Sequence, residues 1–214
     1  MTNWLNNSFF SIDNAVFIAM NGLAKSAGGF FTPFFVFISF LGKAVIFFIV
    51  LGVAMLLLKR TRKMGLAVLL SIAVGAIFTN LTLKPLVARP RPYLSSEEYF
   101  DMWKFVGAHK ESEFSFPSGH TTVTMTSMTA LFLSLNKKYS WMTYLFVVLM
   151  GVSRIYLFAH YFSDVIGGVI CGGIAGILGY YLAKSLYCLI EKSKEKKFCK
   201  WFLEFDVIKL MIKK

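Results

Sequence analysis

Charge is scarce in this 214-residue chain: 16% of its residues are Asp, Glu, Lys or Arg, against 57% that are hydrophobic, and its mean hydropathy is +0.63. Soluble domains carry about a quarter charged residues, and a globule of this size has too little interior to hide so much Phe, Leu, Ile and Val. Disorder is excluded for the opposite reason, since disordered chains are poor in apolar residues. Among the charged residues the acidic ones are the minority, 11 against 23 Lys and Arg. Cysteine is nearly absent: Cys171 and Cys188 lie in an apolar segment and Cys199 in a basic tail. None falls in a candidate outside loop, so no disulfide framework is implied. The first residues lack the basic leader and small-residue cleavage site of a signal peptide, so nothing is expected to be removed. No internal repeat or low-complexity tract is found.

What remains is aromatic and aliphatic, including 23 Phe, 9 Tyr and 4 Trp. A hydrocarbon core about 30 Å thick needs roughly 20 apolar residues as helix. Five stretches answer to that: 41–58, 64–83, 120–135, 141–158 and 164–190. The sequence therefore predicts an all-α, polytopic membrane bundle of about five transmembrane helices. Residues 41–190 form its core, with an outside loop over 84–119. Residues 1–40 read as two short interfacial helices split at Lys25 and Gly28-Gly29, with Pro33 interrupting the second; one broken span is the alternative. Residues 191–214 read as a basic amphipathic tail on the inner leaflet.

Orientation comes from the loops. Lys59-Arg60-Thr61-Arg62-Lys63, Asn136-Lys137-Lys138 and the Lys-rich stretch 192–200 all fall on one side of a five-span bundle, which the positive-inside rule makes cytoplasmic. The loop carrying Glu97, Glu98, Asp101, Glu111 and Glu113 then faces outward. The basic residues sit in clusters between apolar runs, which suits an anionic leaflet and argues against nucleic acid as a partner. In the last span Gly168, Gly172 and Gly176 recur every four residues, a stripe that lets another helix approach closely.

Three segments place unusual polar groups at the outer ends of spans: Lys84-Pro-Leu-Val-Ala-Arg89-Pro-Arg91-Pro92, Phe116-Pro117-Ser118-Gly119-His120, and Ser153-Arg154 through His160 to Asp164. Singly, each has a plain explanation: a snorkelling Lys, headgroup-binding Arg, a Ser helix cap, an Asp helix cap. Arg154 is different, because a charge inside a span is costly and needs a partner. Together they converge on one leaflet. Lys84, Arg91 and Arg154, the Ser118 hydroxyl and the backbone at Gly119 are the donors a phosphate wants. His160 and Asp164, spaced i, i+4, predict an imidazole oriented by a carboxylate.

These residues resemble the three signature motifs of the type 2 phosphatidic acid phosphatase superfamily: Lys84-x6-Arg91-Pro92, Pro117-Ser118-Gly119-His120, and Ser153-Arg154-x5-His160-x3-Asp164. Every motif position is filled, and the six-residue spacing selects Arg91, leaving Arg89 as an auxiliary. The resemblance implies a membrane lipid phosphatase in which His160 attacks phosphorus, Asp164 orients it, and His120 protonates the leaving group and then activates water. Lys84, Arg91, Ser118, Gly119 and Arg154 would hold the phosphoryl oxygens. With no carboxylate cluster to hold an ion, no metal or other cofactor is expected, and His109 is expected to be merely solvated. Among the family's substrates, undecaprenyl diphosphate is the first expectation, because the chain is short like the compact bacterial phosphatases of that carrier. Phosphatidylglycerol phosphate and phosphatidic acid are the alternatives. An anion transporter would need polar residues across the whole membrane depth. A catalytically dead lipid-binding scaffold would be expected to have lost a His or the Asp.

Overall fold

The structure is a computed structural model that describes residues 1–43, 45–111, 114–135 and 137–212. It is helical, with no strand among the described residues. Helix α1 (Thr2–Ser26) and α2 (Thr32–Lys43) are succeeded by α3 (Val45–Leu57) and α4 (Arg62–Ala76). α4 continues without a break through a π-helical segment, Ile77–Leu83, into α5 (Lys84–Val87). Then come α6 (Glu97–Phe105), α7 (Gly119–Ser134), α8 (Lys137–Ser140), α9 (Thr143–Tyr156), the long α10 (Phe162–Lys192), α11 (Lys197–Glu204) and α12 (Val207–Ile212).

The distribution of side chains is that of a protein dissolved in lipid. Ser71, Thr121, Thr122, Thr124, Thr126 and Ser127 are fully buried, while Ile170, Ile174, Ile177, Leu178 and Leu182 on the outer side of α10 are exposed. In water this arrangement would be inverted. In a bilayer apolar faces meet acyl chains, and small or hydroxylated residues fill helix contacts. The buried hydroxyls are spent locally and across the interface: Thr122 donates to the Ser118 carbonyl at 2.9 Å, Thr124 to that of His120 at 2.8 Å, and Thr126 to that of Gly172 at 3.2 Å.

α7 sits at the centre, packed on α4, α9 and α10. The glycine stripe of α10 explains how closely. A Cβ added at Gly172 would come within 2.6 Å of the Thr122 carbonyl oxygen, and one at Gly176 within 2.6 Å of the Thr129 Cβ. At Gly179 it would reach 2.3 Å from the Ser71 Cα on α4. The stripe thus joins α10 to α7 and α4 at once.

Helices stand where the sequence places spans, but their lengths differ from five full crossings. Residues 62–94 and 162–192 are long and apolar enough to cross alone, and α2 with α3 makes a third if the pair counts as one broken span. α7 and α9, at 16 and 14 residues, are shorter than a full crossing and depend on their neighbours. The expected 41–58 span runs across Ala44, which lies outside the described residues. The N-terminal segment does divide at Gly28-Gly29, both at positive φ. However, its first helix starts at Thr2, well before the apolar run. Pro33 does not interrupt α2: it occupies the first turn, where its missing N–H has no helical partner to lose. The tail is two short helices broken at Phe205-Asp206.

Candidate active site

Each motif reaches the same end of the bundle by a different local device. The π-helical turns at Ile77–Leu83 set the rotation of α5, and Lys84 ends up buried, its Nζ 3.5 Å from where a Cβ on Gly119 would stand. Ala88, at φ +50°, turns the chain out of α5, and the segment then carries Arg89 and Arg91 back inward. Ser118 is the N-cap of α7, but its side chain makes no cap bond; instead the hydroxyl accepts from Thr121 Oγ1 at 3.0 Å. The Ser118 amide donates to the Asp164 carbonyl at 3.0 Å, tying the start of α7 to the start of α10.

His160 does not lie on a helix with Asp164. It sits in the turn between α9 and α10, two residues after Phe158 at φ +50°, and Asp164 is in the first turn of α10. The i, i+4 proximity survives with a different cause. His160 Nδ1 lies 3.6 Å from Asp164 Oδ2, and Ser115 Oγ stands between them, bonded to Asp164 Oδ2 and 3.5 Å from the ring nitrogen. Asp164 also performs the plain helix-start role, accepting the Tyr161 amide at 3.0 Å.

The other ring nitrogen of His160 faces the cations. Its Nε2 is 2.7 Å from Arg91 Nη1. A guanidinium can only donate, so Nε2 accepts and the imidazole is neutral, with its proton on Nδ1. Electrostatics agree: burial, then Arg91 and Arg154, then His120 and Lys84, push the basicity of His160 well below the ordinary histidine value. Arg91 also donates to the Ala159 carbonyl at 3.0 Å and to Glu111 Oε2 at 2.8 Å.

Glu111 is the surprise of the site. Its other oxygen accepts from Arg154, whose second nitrogen reaches the Ser39 hydroxyl of α2. Burial pushes the Glu111 carboxyl up, but Arg154 and Arg91, with His120, outweigh it and hold it down at about 2. One carboxylate is therefore clasped by the two arginines singled out for phosphate. Its ligand atom and those of His120 and His160 lie within 4.8 Å of one another. His120 Nε2 is buried with no hydrogen-bond partner among the described residues. Two histidines and a carboxylate have the composition of a metal site, which the sequence reading did not foresee. The groups around them are Lys84, Arg91 and Arg154, so the surroundings favour an anion over a divalent cation.

Structure thus brings Lys84, Arg91, Ser118, Gly119, His120, Arg154, His160 and Asp164 to one end of the bundle. Sequence reasoning missed Glu111, Ser115, Asp13 and Ser39. Asp13 carried a signal that went unread: it is a lone carboxylate inside an apolar stretch. Ser115 directly precedes the second motif. Glu111 was counted only as loop charge. Arg89, taken as an auxiliary, is 1% exposed and turned toward Asp13 and Asp164. His109 is exposed and lines the rim of a cavity of about 400 Å³ between α2 and the α9–α10 turn, walled also by Val36, Phe40, Leu157 and Ala159 and reaching Arg154 and Glu111.

Fold and site together define a membrane-embedded helical bundle with buried cations and two histidines gathered at one end. Residues 64–187 match the family model of the PAP2 superfamily, and the chain belongs to it. It is 29% identical over 189 residues to the lipid A 4'-phosphatase of Bacteroides thetaiotaomicron, covering 84% of this chain and 80% of that one. Among solved structures it resembles Aquifex aeolicus LpxE, with 26% identity and a TM-score of 0.58 over 69% of this chain and 84% of that one. It also resembles a transmembrane PAP2 type phosphatidylglycerolphosphate phosphatase from Bacillus subtilis, with 24% identity and a TM-score of 0.53 over 91% and 99%, a likeness of fold.

Proposed function

We propose that the protein removes phosphate from a lipid headgroup at the outer membrane face through a phosphohistidine on His160, without a metal. The observation that carries this reading is the clasp of Arg91 and Arg154 on the Glu111 carboxylate beside a neutral His160: the cleft already holds an anion where a phosphoryl group would need one. An incoming phosphate takes the place of Glu111 and lifts Arg91 off Nε2. The freed lone pair attacks phosphorus as the bond to the lipid oxygen breaks, and His120 gives that oxygen a proton. Asp164 and Ser115 face the Nδ1 proton and fix the ring. Lys84, Arg91, Arg154, the Ser118 hydroxyl and the Gly119 amide balance charge on the equatorial oxygens. His120 then takes a proton from a water whose oxygen attacks phosphorus; the P–N bond breaks, its electron pair returns to His160 Nε2, and phosphate is released.

The outward orientation rests on the basic loops at the opposite end. For substrate, undecaprenyl diphosphate is our first reading: a cavity of about 400 Å³, walled in part by Val36, Phe40, Leu157 and Ala159, leads to Arg154 and suits an apolar segment next to a charged headgroup. A glycolipid phosphate of the lipid A kind is the second, favoured by the relative matched over most of its length. Phosphate release in detergent micelles from undecaprenyl diphosphate, undecaprenyl monophosphate, phosphatidylglycerol phosphate, phosphatidic acid and lipid A ranks them. Turnover is expected to survive EDTA, to be inhibited by vanadate and to vanish in His160→Ala. Loss in EDTA restored by Mg²⁺ overturns the metal-free mechanism.

A further inference from the structure

Arg89 and α1 lie beyond the motifs, yet the structure joins them at the back of Asp164. The Arg89 guanidinium donates to Asp164 Oδ1 at 2.6 Å and to Ser163 Oγ at 2.8 Å from Nη1, to Asp13 Oδ2 at 2.9 Å from Nη2, and to Asn6 Oδ1 at 2.9 Å from Nε. Its carbon lies 3.8 Å from the ring centre of Tyr161. Asp13 closes the loop: its two oxygens accept the Ser163 amide at 2.8 Å and the Ser163 hydroxyl at 2.7 Å. Asp13, Arg89 and Asp164 are all at most 2% exposed.

Asp164 is consequently held on both oxygens. Oδ1 belongs to Arg89, while Oδ2 faces Ser115, the Tyr161 amide and His160. A carboxylate that must orient an imidazole needs its own rotation fixed, and a planar guanidinium does this better than a point charge. Buried between two carboxylates, Arg89 commits four of its five N–H donors to Asn6, Asp13, Ser163 and Asp164, which suits an internal clamp better than an extra phosphate ligand. Asn6 and Asp13 are seven residues apart on one face of α1. Phe17 on the same helix packs against Tyr99, Phe158 and Tyr161, which keeps that face pressed on the site. Asp13 also lies outside the residues that match the family model.

We propose that the Asp13–Arg89 pair is a positioning device for the nucleophile, through which α1 sets the orientation of Asp164 and hence of His160. The inference rests on the phosphatase reading above. Its test is steady-state phosphate release from undecaprenyl diphosphate and phosphatidic acid in micelles. Four variants are compared with the unaltered protein: Arg89→Met, Arg89→Lys, Asp13→Asn and, as a control for losing a buried arginine elsewhere, Arg62→Met. Outer partners that orient a metal-bound histidine are typically worth about 10–100-fold, and the same range is expected of a partner that orients a reacting one. Arg89→Met should therefore lower kcat by about 100-fold with KM within about twofold, and Arg89→Lys should recover about tenfold of that loss. Asp13→Asn should lower kcat by about tenfold, and Arg62→Met should leave kcat per folded molecule within about twofold. If Arg89→Met does not yield folded protein, Asp13→Asn and Arg89→Lys decide the matter by the same split between kcat and KM. Arg89 variants that keep more than half of kcat, or that raise KM alone, overturn the inference while leaving the phosphatase standing. No phosphate release from any lipid by the unaltered protein removes the phosphatase reading itself.

Discussion

Arginines are buried at both ends of the continuous helical stretch 62–87, and their partners differ in kind. At the start of α4, Arg62 donates to the Leu56 carbonyl at 3.0 Å, to the Leu203 carbonyl at 2.9 Å and to the Phe205 carbonyl, with its guanidinium 5.2 Å from the Phe202 ring centre. Leu56 and Leu203 lie in the last turns of α3 and α11, where carbonyls have no helical partner and the helix dipole is negative. Arg62 therefore caps two helix C-termini, and no substrate could replace those backbone acceptors. At the other end, Arg91 and Arg154 share one side-chain carboxylate that a stronger anion can displace. A buried cation satisfied by backbone is architecture; one satisfied by a replaceable carboxylate beside two histidines is what the proposed binding site requires before substrate arrives.

The sharpest break of this contrast is Arg154→Ala. It removes one jaw of the clasp and the link to Ser39 on α2, and leaves Glu111 held by Arg91 alone. Losing a donor of this kind in a desolvated site typically costs about 10²–10³-fold in rate. We expect kcat/KM for phosphate release to fall by that order, and affinity for vanadate to fall with it. An Arg154→Ala enzyme that still binds vanadate as the unaltered one does would return Arg154 to the structural class of Arg62.

A subtler case is Glu111→Gln, which keeps the shape and removes the charge. Two arginines then lack their internal counter-ion, so inorganic phosphate should bind more tightly, by about tenfold if one charge pair contributes about 1.4 kcal/mol. Thermal stability in detergent should become more phosphate-dependent than in the unaltered protein. The acid side has a definite sign. Glu111 is held at about 2, below its unfolded value, so its contribution to stability is complete above about pH 4.5 and is lost as pH falls toward 2. Melting curves of the unaltered protein should show that decline below about pH 4.5, and those of Glu111→Gln should lack this part of it.

The same comparison explains how far the sequence could be read. Helix positions, the α10 glycine stripe and the eight motif residues were legible because each depends on local pattern or on fixed spacing: apolar length, small residues every four positions, cations flanking Pro and His. Glu111, Ser115 and Asp13 were not, because their meaning comes from long-range meetings. Asp13 acts on Ser163, 150 positions away. Nothing in the acidic loop distinguishes Glu111 from Glu97 or Glu98 until Arg91 and Arg154 are seen to flank it. Arg62 misled in the reverse direction: it was counted with Lys59, Arg60 and Lys63 as a solvated basic loop, yet it is 1% exposed and bonded on three sides. The remaining Lys and Arg of that loop and of the tail are the charges on which the proposed orientation rests.

Arg62 also supplies the test with the smallest effect on chemistry. In Arg62→Met three carbonyls lose a charged donor. Those of Leu203 and Phe205 connect the tail to the bundle, so α11 should detach before the bundle loosens. Hydrogen bonds from charged groups contribute roughly 1.5–3 kcal/mol each, but carbonyls released near the helix ends can recover water, so a net loss of about 2 kcal/mol is expected. A lower melting temperature and faster proteolysis between α10 and α11 would report it, with turnover per folded molecule unchanged within about twofold. A large fall in turnover would mean that the far end of α4 is coupled to Lys84 through the π-helical segment, and the division between architectural and site-forming arginines would have to be redrawn along that helix.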